Sequence, residues 1–552
     1  MQKNKKRLLS LGHVYLIVSG LLLLLMLVLQ QQPKTISIKP AMTPSPVTAP
    51  APVTKPSPYK TLTVDPFVNE KTVTPPFEMP AIVQPIFPAR VCNIIDYGAV
   101  ANKKIKNTQA INNAIADCAK NGGGRVLIPA GTWLTGAIHL DNNIDLHLDA
   151  KAILSFSADP NDYLPVVLSR YEGIDVYNYS PLIYANGKQN LAITGNGKLV
   201  GNGATWLDLN NLDVTHQLYA MGANNTPIKE RVFGSPEKML RPAFVEFLHS
   251  NAILLEDFTI ENGPMWTIHP TYSQNIIIRH ISILTTGKNN DGIDLDSSKN
   301  VLIENSQLDT NDDSIALKSG KAADGLKVNY ATKNIIIRNN TMRNGHGGVA
   351  IGSEMAGGVF NVFAYNCKIF SNQYGIRLKA LENEKVQASN LWFQNIEMDK
   401  LSFSTIQMTM HYGSDQASGN TGVPIFQNVY FSNLTSTRAR QAINIDALEN
   451  SPAKNIAIEN SNFASGTGVS LKNVTNFSLK RSTVQAKNDP LYAVTNGRQV
   501  FLEDLACSTT QKICVAITGA TTEDIQLKTT TANTLKGRVQ LDQSVDSQQV
   551  SY

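Results

Sequence analysis

An all-β solenoid is the fold class this sequence predicts, and three observations predict it. Short apolar runs alternate in strand fashion and open on asparagine: Asn275-Ile276-Ile277-Ile278, Asn300-Val301-Leu302-Ile303, Asn334-Ile335-Ile336-Ile337 and Asn361-Val362-Phe363-Ala364. Asn390-Leu391-Trp392-Phe393, Asn428-Val429-Tyr430-Phe431 and Asn455-Ile456-Ala457-Ile458 continue the series. Second, the repeats recur at roughly 25–30 residues, a solenoid period. Third, β-branched residues and Asn, Gly and Ser corners favour short strands over helices. Asparagine tolerates left-handed backbone, so equivalent corners can stack as a hydrogen-bonded side-chain ladder.

The elements follow in chain order. Lys3, Lys5, Lys6 and Arg7 precede an apolar run from Val14 to Leu29. Counted back through Leu8, Leu9 and Leu11, the run is long enough to span a bilayer. No small-x-small cleavage motif follows it, so residues 1–32 read as an uncleaved anchor, with a cleaved signal as the alternative. The basic flank stays cytoplasmic and places the remainder outside. In a Gram-negative cell that means tethering to the inner membrane, facing the periplasm; cleavage would make the protein secreted. Residues 33–71 read as a Pro/Thr-rich linker, extended and semi-rigid up to about Pro58. Residues 72–552 form the folded domain. Its first apolar stretch, Met79 to Arg90, is expected to lie along the body as an arm.

A helix is predicted over Thr108 to Lys120, where Ala110, Ile111, Ala114, Ile115 and Cys118 recur at helical spacing. Gly122-Gly123-Gly124 stops it. Such a helix suits the N-terminal cap of a solenoid, whose first coil would otherwise expose its core. Strands begin at Val126-Leu127-Ile128. Asp208 to Arg241 interrupts the repeat and reads as a partly helical excursion between coils. Excursions of this kind shape binding grooves.

Bulk properties exclude some functions. The net charge is +5, with no cluster of basic and aromatic residues, so nucleic-acid binding is not indicated. The five cysteines, Cys92, Cys118, Cys367, Cys507 and Cys514, contain no CxxC pair, which argues against a zinc or redox centre. Cys92 with Cys118 and Cys507 with Cys514 could each pair, and buried free thiols are equally compatible.

Four polar islands carry the chemistry: Asn289-Asn290-Asp291-Gly292, Asn311-Asp312-Asp313, Gly345-His346-Gly347 and Arg377-Leu378-Lys379. Residues one repeat apart stack on one face of a solenoid, so three carboxylates, an imidazole, a guanidinium and an ammonium converge. Paired carboxylates cleave glycosidic bonds. Crowded carboxylates cannot all ionise, which raises the pKa of at least one. Arg and Lys beside them fit an acidic sugar. Asp294 and Asp296, alternating with the first island, read as solvent or loop contacts, and Glu354 as structural or substrate-positioning.

In this order the islands resemble the signatures of the glycoside hydrolases of family 28, the polygalacturonases. Gly201-Asn202-Gly203-Ala204-Thr205-Trp206, Trp266-Thr267-Ile268-His269-Pro270 and Gly347-Gly348-Val349-Ala350-Ile351-Gly352-Ser353-Glu354-Met355 are similar to a bacterial, often exo-acting, subgroup. The resemblance implies a single-stranded right-handed parallel β-helix with a short N-terminal capping helix. It implies inverting hydrolysis of α-1,4-galacturonosidic bonds, with Asp312 as general acid and Asp291 and Asp313 activating water. His346 then supports the acid, and Arg377, Lys379 and Tyr412 bind substrate. It implies no metal and no cofactor; the expected partner is a galacturonate-containing poly- or oligosaccharide. Asn290 and Asn311 depart from the family pattern, and Ala380-Leu381-Glu382-Asn383-Glu384-Lys385 replaces a Gly-rich continuation. Leu378 is expected to point into the core. Three alternatives stay open: another pectic substrate such as rhamnogalacturonan or xylogalacturonan, a calcium-dependent lyase, and a non-catalytic glycan-binding β-helix.

Overall fold

The computed structural model describes residues 60–62 and 73–552, except 209–210, 414–418, 509–510 and 530–534. The chain divides into two units, 1–57 and 58–552. The expected anchor and most of the linker therefore lie outside the described residues. Among the described residues no helix is long and apolar enough to cross a membrane.

The second unit is a parallel β-helix in which 39 strands form one continuous hydrogen-bonded sheet, beside two separate two-stranded sheets. Each coil contributes strands to three parallel ladders. Ladder A contains Ile183–Asn186, Val245–Leu248, Ile268–Thr271, Ile293–Asp296, Ile315–Lys318, Gly347–Ile351, Tyr374–Lys379 and Leu401–Thr409. Ladder B contains the Asn-led repeats, such as Gln274–Arg279, Lys299–Glu304, Thr332–Arg338 and Val359–Tyr365. Ladder C contains short strands such as Ser282–Leu284, Gln307–Asp309 and Thr341–Arg343.

Alternation turns every second side chain inward. Ile276, Val301, Ile335, Val362, Leu391, Val429 and Ile456 fall in one register row and are all buried. Burial of such rows from all three ladders is the main stabilising term. The asparagine ladder forms as expected. Asn334 donates to Asn300, Asn361 to Asn334, Asn428 to Asn390 and Asn455 to Asn428, at 2.8–3.0 Å. Each of these asparagines has φ between 55° and 61°, the left-handed region they adopt most cheaply. Steps along this ladder range from 21 residues (Asn455 to Asn476) to 38 (Asn390 to Asn428). Loops leaving at the corners stretch the repeat beyond its sequence-read period.

The capping helix spans Thr108–Lys120 and buries Ala110, Ile111, Ala114, Ile115 and Cys118. Disulfides join Cys92 to Cys118 and Cys507 to Cys514, and Cys367 is a buried free thiol. The first ties the cap helix to the strand Val91–Asn93. The arm lies along ladder B as expected. Ile82 packs on Ala192, Leu254, Ile277, Leu302 and Ile336, and Ile86 exchanges backbone bonds with the Asn190 amide. Lys60–Leu62, placed in the spacer by composition, pairs antiparallel with Ile82–Gln84.

Helix Ala204–Asp208 leads into the excursion, which carries helix Leu212–Ala223. It packs with an antiparallel hairpin, Val167–Tyr171 with Ile174–Asn178, that sequence reading missed. Ile174, Val176, Val214, Leu218, Phe233 and Trp266 form their shared core.

Candidate active site

The polar islands stand where the chain enters successive strands of ladder A. Asp291 precedes Ile293–Asp296, Asp312 and Asp313 precede Ile315–Lys318, and His346 precedes Gly347–Ile351. Backbone bonds lock these corners together: Gly292 N–H donates to Asp313 O at 3.0 Å, and Ser314 N–H to Gly347 O at 2.8 Å. His346 N–H donates to Asp312 O at 3.1 Å. Both glycines beside His346 are required by this stacking. A Cβ at Gly345 would meet Asp312 O at 2.4 Å, and one at Gly347 would meet Asp313 Oδ1 at 2.8 Å. The close approach is thus by the neighbouring coil.

Asp291, Asp312 and Asp313 bring carboxylate oxygens within 4.8 Å of one another. Asp291 and Asp313 are buried, and Asp312 is partly open. Burial, then the charge of Asp312, pushes Asp291 up to about 8, with Lys318 opposing. Burial also pushes Asp312 upward, but the hydrogen bond and charge of His346 outweigh it and hold Asp312 at about 2. His346 Nδ1 lies 3.0 Å from Asp312 Oδ1. That bond raises the imidazole above its ordinary value, against burial. Of the three clustered carboxyls Asp291 is thus the raised one, because Asp312 has a cationic partner and Asp291 is more deeply enclosed; burial and the charge of Asp291 raise the neighbouring Asp294 as well.

Such a carboxylate cluster could seat a cation. Two lysines already supply positive charge there. Lys379 Nζ is 2.8 Å from Asp313 Oδ2, and Lys318 Nζ is 3.5 Å from Asp291 Oδ2. Lys318 also approaches Asp294 at 3.4 Å and Glu354 at 3.2 Å, and lies 4.0 Å above the Trp266 ring. Sequence reading missed Lys318, which looks like any strand-end lysine; no local signal marks it.

Asp294 and Asp296 are fully buried, which corrects the expectation of solvent or loop contacts. The hairpin covers this face of ladder A: Arg170 lies 3.3 Å from Asp296. Glu354 is a buried partner of Lys318. Asn290, one departure from the family pattern, donates its amide to Gly263 O and Thr285 Oγ1 at 2.6 and 2.7 Å, shaping the corner before Asp291. Leu378 is fully buried in the core, as expected.

Asp291 and Asp312 open into a cavity of about 450 Å³ that Trp266, Lys288, Lys318, Lys321, Lys379 and Tyr412 help to line, while Asp313 is fully buried beside them. At one rim the excursion and hairpin close in. Tyr219 donates to Glu172, the Asn289 amide lies 3.3 Å from Glu172, and Lys321 Nζ sits 3.7 Å above the Tyr219 ring. Arg377 and Lys379 divide between two cavities. Lys379 lines this one, and Arg377 lines its neighbour, with Tyr412 shared between them.

The family model for glycosyl hydrolases family 28 matches residues 118–486. The chain belongs to glycosyl hydrolase family 28. This family 28 chain is therefore a glycoside hydrolase with polygalacturonase relatives. It is 36% identical to the exopolygalacturonase of Thermotoga maritima, with a TM-score of 0.68, covering 76% of this chain and 93% of that one. It is 29% identical to a "Probable polygalacturonase" of Vitis vinifera over 67% of this chain and 74% of the relative. It is 28% identical to the exo-poly-alpha-D-galacturonosidase of Dickeya chrysanthemi over 60% of this chain and 58% of that protein. The family 28 match includes all four polar islands.

Proposed function

We propose that the protein hydrolyses α-1,4-galacturonosidic bonds, removing galacturonate from chain ends. The observation that carries this reading is a cluster of three carboxylates, two of which, Asp291 and Asp312, line a lysine-lined cavity. Carboxylates supply proton transfer, and lysines supply affinity for a uronate.

In this reading Asp312 protonates the leaving oxygen, since it is the most open of the three and bonds His346. The glycosidic oxygen displaces water from Asp312 and raises its proton affinity. The proton held by Asp291 in the free site then moves to Asp312. Asp291 and Asp313 orient a water and take its proton as its oxygen joins the anomeric carbon. His346 holds Asp312 in place. Lys379 and Arg377 attract substrate carboxylates, and Tyr412 offers a ring face between them.

Inversion is proposed from the family resemblance, against a carboxylate spacing shorter than the usual inverting range of roughly 6.5–9.5 Å. The first anomer released decides it: β-galacturonate for inversion, α for retention, read by NMR.

Exo attack is supported by the exopolygalacturonase relatives and by the rim contacts among Glu172, Tyr219, Asn289 and Lys321. These contacts tie together Glu172, Asn289 and Lys321, which wall one side of the cavity beside the carboxylates. An extracytoplasmic tether through residues 1–32 completes the proposal, resting on the basic flank and apolar run. Cell fractionation tests it: the full chain in the membrane fraction supports the tether, and a soluble form starting after Leu29 overturns it.

Incubating the purified chain with oligogalacturonides tests the activity. Saturated galacturonate released without added metal is expected. A calcium requirement or a 4,5-unsaturated product would overturn the reading.

A further inference from the structure

Beyond Tyr412 a second cavity of about 430 Å³ continues along the outer face of ladder A. It is lined by Tyr374, Arg377, Phe403, Gln407, Arg440 and Asn444. The register explains the lining. Arg377 pairs with Gln407, and Gln407 with Asn444, so three polar side chains stand in one row on consecutive coils. Parallel strands lie about 4.8 Å apart, so the row advances along the helix axis in small, even steps.

Three features are those of a built saccharide site. Phe403 is 38% exposed, yet its ring stacks on Tyr374 at 5.2 Å and 15°. With Tyr374 stacked on it and Arg440 over it, Phe403 forms an apolar wall of the cavity against which a pyranose ring can lie. Arg440 reaches over Phe403, its guanidinium 5.7 Å from the ring centre. Arg377 is 8% exposed, and its Nε has no hydrogen-bond partner among the described residues. A buried guanidinium with an unsatisfied donor beside a cavity marks a place for an anionic acceptor.

We propose that this cavity binds the uronate next beyond the cleaved pair, with its ring on Phe403 and its carboxylate on Arg440. The inference rests on the proposed galacturonosidase activity. With one side walled by Glu172, Asn289 and Lys321, a terminal sugar fills the first cavity and the chain leaves past Tyr412. A disaccharide then spans the cleavage point and stops at Arg377. A trisaccharide reaches Phe403 and Arg440. Gln407, fixed by Ser404 at 3.1 Å and Asn444 at 3.2 Å, offers its remaining amide protons to the sugar hydroxyls. The substrate class is therefore oligogalacturonide of three or more units.

The test compares kcat/KM of the full chain on digalacturonate and trigalacturonate, for wild type, Arg440→Gln and Phe403→Ala. Wild type should prefer the trisaccharide by about tenfold or more, the size of one charge-assisted hydrogen bond. Each variant should lose most of that preference while keeping its rate on digalacturonate, which also shows that it is folded. Equal losses on both substrates, or no wild-type preference, would overturn the added subsite and leave the activity standing. Wild type inert on both would overturn the functional reading, and the subsite with it.

Discussion

Lys379 Nζ lies 2.8 Å from Asp313 Oδ2, and both side chains are buried. The ammonium thus belongs to the carboxylate cluster before any substrate arrives. Replacing it leaves Asp313 unpaired in a poorly solvated place. Lys379→Ala should therefore destabilise the fold by about 3–5 kcal/mol, the cost of breaking a buried pair. Denaturant unfolding measures it. A residue that only contacts substrate would leave stability unchanged and raise KM alone.

The pairing of His346 with Asp312 makes a second prediction. Asp312→Asn removes the proposed acid and should lower kcat by at least about 100-fold with the fold intact. The same change removes the partner that raises His346. NMR titration should find the imidazole pKa lower in the variant. The sign extends to stability: the raised His346 contributes fully below its unfolded value, and the contribution fades as pH rises through its folded value. An unshifted imidazole would break the coupling of the two residues.

Lys318 stands among Asp291, Asp294 and Glu354. It opposes the rise of Asp291, which burial drives. Lys318→Met should raise Asp291 further, so the proton it holds for Asp312 is lost only at higher pH. The basic limb of the kcat/KM profile should then move up by about one unit or more, the usual effect of a close opposite charge. A limb that stays in place would remove Lys318 from the electrostatics of the site.

Much of this was legible in the sequence where the signal is local. Asparagine corners, β-branched alternation and the helical spacing of Ala110, Ile111 and Ala114 depend on neighbours in the chain, so the solenoid and its cap could be read. The four islands could be read because each motif is short and stacking brings repeats together. Lys318 could not, since its partners come from three other points in the chain. Nor could the rim: the contact of Asn289 with Glu172 spans 117 residues. Asp296 alternates like a solvent-facing strand residue, but contacts remote in the chain cover it, among them Arg170 of the hairpin and the backbone of Gly320. Arg377 and Lys379 share one strand face, but Tyr412 stands beside both, at 4.9 and 5.0 Å, and divides their cavities.

The most direct test of the central claim is a time course on polygalacturonate that follows products and viscosity together. The account predicts saturated monomeric galacturonate as the first product, without added metal, while viscosity stays nearly constant. A rapid fall in viscosity at low bond cleavage, with mixed oligomers released early, would contradict removal from chain ends.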